Sequence, residues 1–365
     1  MIRKPKQPDY WLSVIGDWNS FLITGYRSSV AFFLLIFSIC SISCGNQEGD
    51  KLQAVSNDST PADIRAINDK INNDRGNADL YVDRAKAHFA YKDVESAIGD
   101  MKIALNMDSS RAGYYIFLSD LYFTQNKTRD TRDMLRKAMK LDTGNSEAMM
   151  KYSQLFYLLK KYDTAIFFIN RSLHFDRANA TANFQKGMIL KEAGDTAKAV
   201  SGFQSAVELN TAYYDAYMQL GILFSVKKNP LALEYFTTAL KIEPKSVEAL
   251  YGKGKFLQDV RDYDNALKTY EELSSIAPDN QDAVFNTGAI FFEQKKYDEA
   301  IQKFEATITR DENFYRGYYG RGRCYETLGE KQKAIDDYRH CLALKPDFAL
   351  AQIQLDLMGK SKAKK

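Results

Sequence analysis

The chain has 365 residues, 45% hydrophobic and 27% charged, with a formal net charge of +3 at pH 7. Residues 1–43 hold four basic and two acidic residues, so the remainder carries +1 and lacks the basic face or stripe that nucleic-acid binding requires. Its three histidines, His88, His174 and His340, stand in no metal-ligand spacing, and no glycine-rich phosphate loop follows a strand. Neither a cofactor nor a metal is expected.

In chain order, the first predicted feature is an apolar run of 13 residues, Val30 to Ile42, preceded by Arg27. It is too short to cross a bilayer, which takes about 20 residues, and it fits the apolar core of a secretory signal. The following Ser41-Ile42-Ser43-Cys44 resembles the box that ends bacterial lipoprotein signals, without the leucine usual three residues before the cysteine; Cys40 fits worse. The resemblance implies that residues 1–43 are an N-terminal extension and signal, and that Cys44 is diacylated and becomes the first mature residue. Two acyl chains give stable anchoring without a transmembrane helix. An uncleaved anchor with Cys44 as an ordinary thiol stays open as the alternative. Residues 1–29 form a long leader, either a cytoplasmic extension or an upstream start. Residues 44–60 are polar, lack aromatics and read as a flexible tether.

Residues 61–77 contain a predicted capping helix with Ile64, Ile67 and Ile71 at helical spacing. From Ala78 to Phe348 small residues then recur every 34 residues, with one step of 33 near Asn229-Pro230. Counting Ala180 as position 1 of a unit, position 8 reads Ala85, Ser119, Ser153, Gly187, Gly221, Gly254, Gly288 and Gly322. Position 20 is equally small, from Ala97 to Ala334, while positions 4 and 11 are mostly large and apolar. This spacing predicts two antiparallel helices per unit, with small residues letting the backbones approach. The glycines are assigned to that helix packing. Leu273 and Thr307 enlarge the small slot at position 27 and predict looser or shifted packing there. Ala349 to Met358 forms a last cap, with Leu350, Ile353 and Leu357 on its packing side, followed by a lysine-rich tail to Lys365.

Small-8, large-11, Ala-20, aromatic-24, small-27 and Pro-32 together resemble the tetratricopeptide repeat; Gly254, Leu257, Ala266, Tyr270 and Pro278 carry most of the set in one unit. The resemblance implies an all-α fold: a right-handed superhelical α-solenoid of about eight tetratricopeptide repeats, residues 78–348, with helical caps at 61–77 and 349–365. Cys324 and Cys341 fall on the two helices of one unit, and buried free thiols are the expected state, with a disulfide the alternative. His88 occupies an apolar slot and is expected as a core histidine with a hydrogen-bonded tip.

In this family positions 2, 5, 9 and 12 of the first helix face the concave side, where ligands bind. Position 5 supplies Ile116, Met150, Phe184, Met218, Tyr251, Phe285 and Tyr319, position 9 Met188 and Ile222, and position 12 Phe89, Phe123, Tyr157 and Phe292. The resemblance therefore implies an apolar inner wall bordered by isolated charges, suited to capturing a protein segment. The family's clamp for carboxyl-terminal tails, lysine at position 5 and asparagine at position 9, is replaced by Val82 and Lys86. The expected function is a non-enzymatic scaffold of the bacterial cell envelope, exported as an outer-membrane lipoprotein facing the periplasm, with surface exposure as a variant. Its expected partners are envelope proteins and, through the lipid anchor, the membrane. A glycan-binding lipoprotein built on such helices is the alternative, ranked second because no long insertions interrupt the units.

Overall fold

The computed structural model describes residues 61–360. The apolar run, Cys44, the tether and the end of the basic tail lie outside the described residues. Eighteen helices and no strand occur among the described residues. They fall into two compact units that divide between Thr211 and Ala212.

The N-terminal unit opens with α1 (Ala62–Asn73), followed by four hairpins: α2 (Ala78–Ala90) with α3 (Val94–Met107), α4 (Ala112–Thr124) with α5 (Thr128–Leu141), α6 (Ser146–Leu158) with α7 (Tyr162–Phe175), and α8 (Ala180–Glu192) with α9 (Thr196–Leu209). The C-terminal unit repeats the scheme with α10 (Tyr214–Val226) and α11 (Leu231–Ile242), α12 (Val247–Asp259) and α13 (Tyr263–Ile276), α14 (Gln281–Glu293) and α15 (Tyr297–Arg310), α16 (Tyr315–Leu328) and α17 (Lys331–Leu344), then α18 (Ala349–Lys360). Within each hairpin the first helix is called A and the second B.

Local chemistry sets the boundaries. Asn77, Asn145, Asn179, Ser246 and Asn280 cap A helices by accepting a backbone N–H from the first turn, which satisfies one of the orphan donors there. Each A helix ends in a left-handed residue at position 15: Lys92, Asn126, Lys160, Gly194, Lys228, Arg261, Lys295 and Gly329. The next residue's N–H returns to a carbonyl five residues back, as Asn229 does to Phe224 (3.1 Å) and Lys161 to Phe156 (2.9 Å). This is the Schellman turn, which reverses the chain after a helix. Gly194 and Gly329 thus serve turns, which corrects their assignment to helix packing.

The core is built on position 24, which is Met101, Leu135 and Ile169 in the first three hairpins and a ring in the other five. Phe203, Phe236, Tyr270, Phe304 and Tyr338 are fully buried, and the small residue at position 8 of the same hairpin lies flat against each ring. A Cβ added at Gly187 would come within 2.7 Å of Phe203, and one at Gly254 within 2.8 Å of Tyr270. Leu273 and Thr307 are also fully buried, and the Thr307 hydroxyl donates to the Phe304 carbonyl of its own helix (2.6 Å). Both larger side chains are accommodated inside the core, so the slot is filled and not loosely packed.

The two ends differ. α1 packs on α2 through buried Ile64 and Ile71. In α18, by contrast, Ala351 is buried and Leu350, Leu355 and Met358 pack on the last core cluster, while Ile353 and Leu357 are 47% and 49% exposed. The expected grouping of Leu350, Ile353 and Leu357 on the packed side is therefore corrected. α18 takes the A-helix register, Ile353 stands at position 5, and α18 is followed by no B helix among the described residues to cover it.

Candidate partner-binding face

The residues expected on an inner wall separate into two groups. Ile116, Phe184, Met188, Met218, Tyr251, Phe285 and Tyr319 are buried in the core. Phe89, Phe123, Met150, Tyr157, Ile222 and Phe292 are half-buried. A continuous open wall at position 5 is thus not formed, and the cause is the B helix of the same hairpin. Its position-24 ring packs against position 5: Phe184 on Phe203 (5.5 Å between ring centres), Tyr251 on Tyr270 (6.4 Å), Phe285 on Phe304 (5.3 Å) and Tyr319 on Tyr338 (5.8 Å). Met218 joins Phe236 in one cluster, and Ile116 joins Leu135 in another.

In the N-terminal unit the A helices α2, α4 and α6 present a row at position 12, Phe89, Phe123 and Tyr157, one residue per hairpin and each half-buried. Phe117 supports it from position 6 through an edge-to-face contact with Phe89 (6.1 Å). Beside the row, the Lys151 ammonium donates to Asp120 at 2.8 Å, and the lysine side chain is only 9% exposed. Burial pushes the Asp120 carboxyl above the usual carboxylate range, and the ammonium beside it opposes that shift.

The A-helix side of the C-terminal unit is polar. Lys255 at position 9 is buried and paired with Asp259 one turn later; burial lowers its ammonium, against the pull of that carboxylate. Arg316 donates from Nη1 to Asp282 (2.6 Å) and stacks 4.3 Å over the Phe285 ring. Its Nε and Nη2 are buried with no hydrogen-bond acceptor, so the ring face takes the place of an acceptor there. The Arg323 guanidinium approaches the Tyr319 hydroxyl (3.3 Å) and lies 5.7 Å over Phe292. Burial, together with Glu243 and Glu248, pushes the Asp215 carboxyl up to about 6.

In the sequence Lys255 and Arg323 stand as isolated charges, and this polar layer was missed. A signal was present: Asp259 lies four residues after Lys255, and Asp282 and Arg316 occupy position 2 of successive units, 34 residues apart. His88 is held by Asp93, 3.3 Å from its Nδ1. Cys324 and Cys341 are free and fully buried, their thiols pushed up to about 12 by burial. No cluster of three or more His, Cys, Asp or Glu able to hold a metal occurs among the described residues. None of the helices described is long and apolar enough to cross a membrane.

Three tetratricopeptide-repeat family models match the chain, over residues 180–213, 251–313 and 315–348. A search of curated proteins finds no match. Among solved structures, the C-terminal part of a TPR repeat-containing protein from Cytophaga hutchinsonii is similar at 20% identity and a TM-score of 0.56, with 66% of this chain and 99% of that chain covered. The pilF protein of Pseudomonas aeruginosa is similar at 17% identity and a TM-score of 0.51, covering 57% and 96%. A tetratricopeptide repeat protein from Parabacteroides merdae aligns at 20% identity with a TM-score of 0.49, covering 68% and 98%. Residues 180–213, 251–313 and 315–348 thus carry tetratricopeptide repeats, and the described residues fold as an all-α repeat solenoid.

Proposed function

We propose that this chain is a non-enzymatic interaction scaffold of the bacterial cell envelope, anchored through a lipidated Cys44, that grips a segment of a partner protein on the A-helix face of its N-terminal unit. Tetratricopeptide-repeat proteins are generally protein-interaction scaffolds, and the matched repeats support that part of the reading. The row Phe89, Phe123 and Tyr157 carries the rest: large aromatic side chains, left half-buried in the same slot of three consecutive hairpins, with the Asp120–Lys151 pair beside them. Aromatic anchors flanked by polar groups are the common means of protein recognition. The anchor reading draws on the apolar run Val30 to Ile42 and the cysteine that follows it. It places the protein as an exported outer-membrane lipoprotein facing the periplasm.

The test is a crosslinking pulldown from membranes. Replacing Phe89, Phe123 and Tyr157 by Ala is expected to remove the captured partner, each truncation costing on the order of 1–2 kcal/mol of binding, with helix content intact because the fully buried Met101, Leu135 and Ile169 of the same hairpins are untouched. An unchanged set of crosslinked proteins would refute the face. For the anchor, Cys44→Ala is expected to abolish acyl labelling; persistent labelling would show that the lipid is elsewhere.

A further inference from the structure

The outer faces of the B helices, turned away from their A partners, take no part in the site proposed above, and their charge changes sign along the chain. In the N-terminal unit α5 and α7 together carry six cations against three carboxylates, whereas in the C-terminal unit α13 and α15 carry six carboxylates against three cations. The difference concentrates at positions 25 and 26, in the third turn of each helix. There the N-terminal pair presents Arg136, Lys137 and Arg171 and the C-terminal pair Glu271, Glu272 and Glu305, all exposed. No carboxylate stands at either position in the N-terminal unit, and the acidic stretch ends at α17, where Arg339 takes position 25.

These charges are little used inside the chain. Arg136, Arg171, Glu271 and Glu272 form no ion pair among the described residues, Lys137 lies 5.5 Å over the Tyr115 ring, and Glu305 reaches Arg321 only at 3.6 Å. Charges of one sign gathered on neighbouring helices raise the energy of an isolated copy, and an oppositely charged face relieves it. The two faces also match in spacing, since the helices of each pair are one 34-residue repeat apart and carry their charges at the same positions. One turn before Arg171, Phe167 is 59% exposed, an aromatic ring of the kind that anchors protein contacts.

We propose that the α5–α7 face docks on the α13–α15 face of a second copy of this chain. A polyanion would fit the basic face but would leave the acidic face, built at the same repeat positions, without a role; a second copy accounts for both. Each face is two helices of 14 residues, about 21 Å long, and a contact of that size made mainly by exposed charges is weak, reversible and sensitive to salt. The inference depends neither on the aromatic row of the A helices nor on lipidation of Cys44.

The experiment follows the sedimentation of the full chain in a nonionic detergent at tens of micromolar. The parent is expected to self-associate at low salt and to come apart as salt rises. Arg136→Glu/Lys137→Glu/Arg171→Glu is expected to weaken self-association about a hundredfold, with the thermal midpoint held because all three residues are exposed, and Glu271→Lys/Glu272→Lys/Glu305→Lys to do the same. Mixing the two variants should restore association, since the faces of one are then acidic and those of the other basic. A parent that stays monomeric at low salt would overturn the proposal, and one that stays monomeric yet binds poly-glutamate would assign the basic face to an acidic partner instead. Variants that associate as tightly as the parent, or that ignore each other when mixed, would overturn it as well.

Discussion

At the scale of single residues, two hairpins of the C-terminal unit are each held to the next by a ring between two glycines. Phe236 has Gly221 of its own hairpin on one side and Gly252 of the next hairpin on the other, where an added Cβ would lie 2.7 and 2.6 Å from the ring. Phe304 is flanked in the same way by Gly288 and Gly320, at 2.9 and 2.7 Å. One ring therefore bonds its own hairpin and couples it to the next, which is how a stack of small units gains a continuous core. Clamped on both faces, the ring cannot step aside. Gly252→Ala is expected to destabilise by about 1–3 kcal/mol through overpacking, a cost that exceeds the roughly 0.5–1 kcal/mol gained in helix propensity. Gly99→Ala in α3 should show the opposite sign, since a Cβ added there would meet nothing within 4 Å and that residue is exposed; it gains only the propensity term. Urea denaturation of both variants checks the contrast, and a Gly252→Ala protein as stable as its parent would rule out the ring clamp.

At the scale of elements, eight A–B turns share one backbone and differ in sequence. Each has a residue with φ between 50° and 87° at position 15, yet only Gly194 and Gly329 are glycine. Left-handed backbone costs a non-glycine residue about 1–2 kcal/mol. A cation just beyond a helix C-terminus recovers about 0.3–1 kcal/mol from the helix dipole. The balance still favours glycine. Lys160→Gly, in the turn from α6 to α7, is therefore expected to raise stability by about 0.5–1 kcal/mol, measured as a higher denaturation midpoint; a lower midpoint would show that Lys160 makes a compensating contact. The turns were poorly legible in the sequence for this reason. Gly194 and Gly329 could be mistaken for packing glycines, and lysine or arginine gives no hint of positive φ. The helices themselves were legible, because position 8 and position 20 must stay small wherever two backbones approach, and asparagine or serine marks the start of five A helices.

At the scale of the whole molecule, a 34-residue period tells which residues share an environment but not what that environment is. Position 5 is apolar in every unit, which fits an open wall and a covered seam equally well. The deciding fact lies 18 or 19 residues away on the B helix, where a ring stands opposite: Phe203 for Phe184, Tyr270 for Tyr251, Phe236 for Met218. Ile353 shows the same slot without that cover, half-exposed on the last helix. Position 12 lies about two helical turns beyond that contact, and there Phe89, Phe123 and Tyr157 stay half-buried while seven other expected wall residues are buried. Net charge misleads in a parallel way. A total of +3 suggests a molecule without an electrostatic face, but the period places like charges side by side. The A–B turns carry Lys92, Lys127, Lys160 and Lys161 against Asp93 and Asp195 in the N-terminal unit, and Lys227, Lys228, Arg261, Lys295 and Lys296 against Asp262 and Glu330 in the C-terminal one, while the B–A turns of the C-terminal unit hold Glu243, Asp279, Asp311, Glu312 and Asp347 against Lys245 and Lys345. Fields act over about a Debye length, roughly 8–10 Å, which is also the distance between packed helices. Charges at one position of successive hairpins thus reinforce each other, whereas charges on opposite edges of a hairpin, some 13 residues of helix or about 20 Å apart, are screened from cancelling. In a repeat protein the electrostatic unit is the edge, and its sign has to be read position by position.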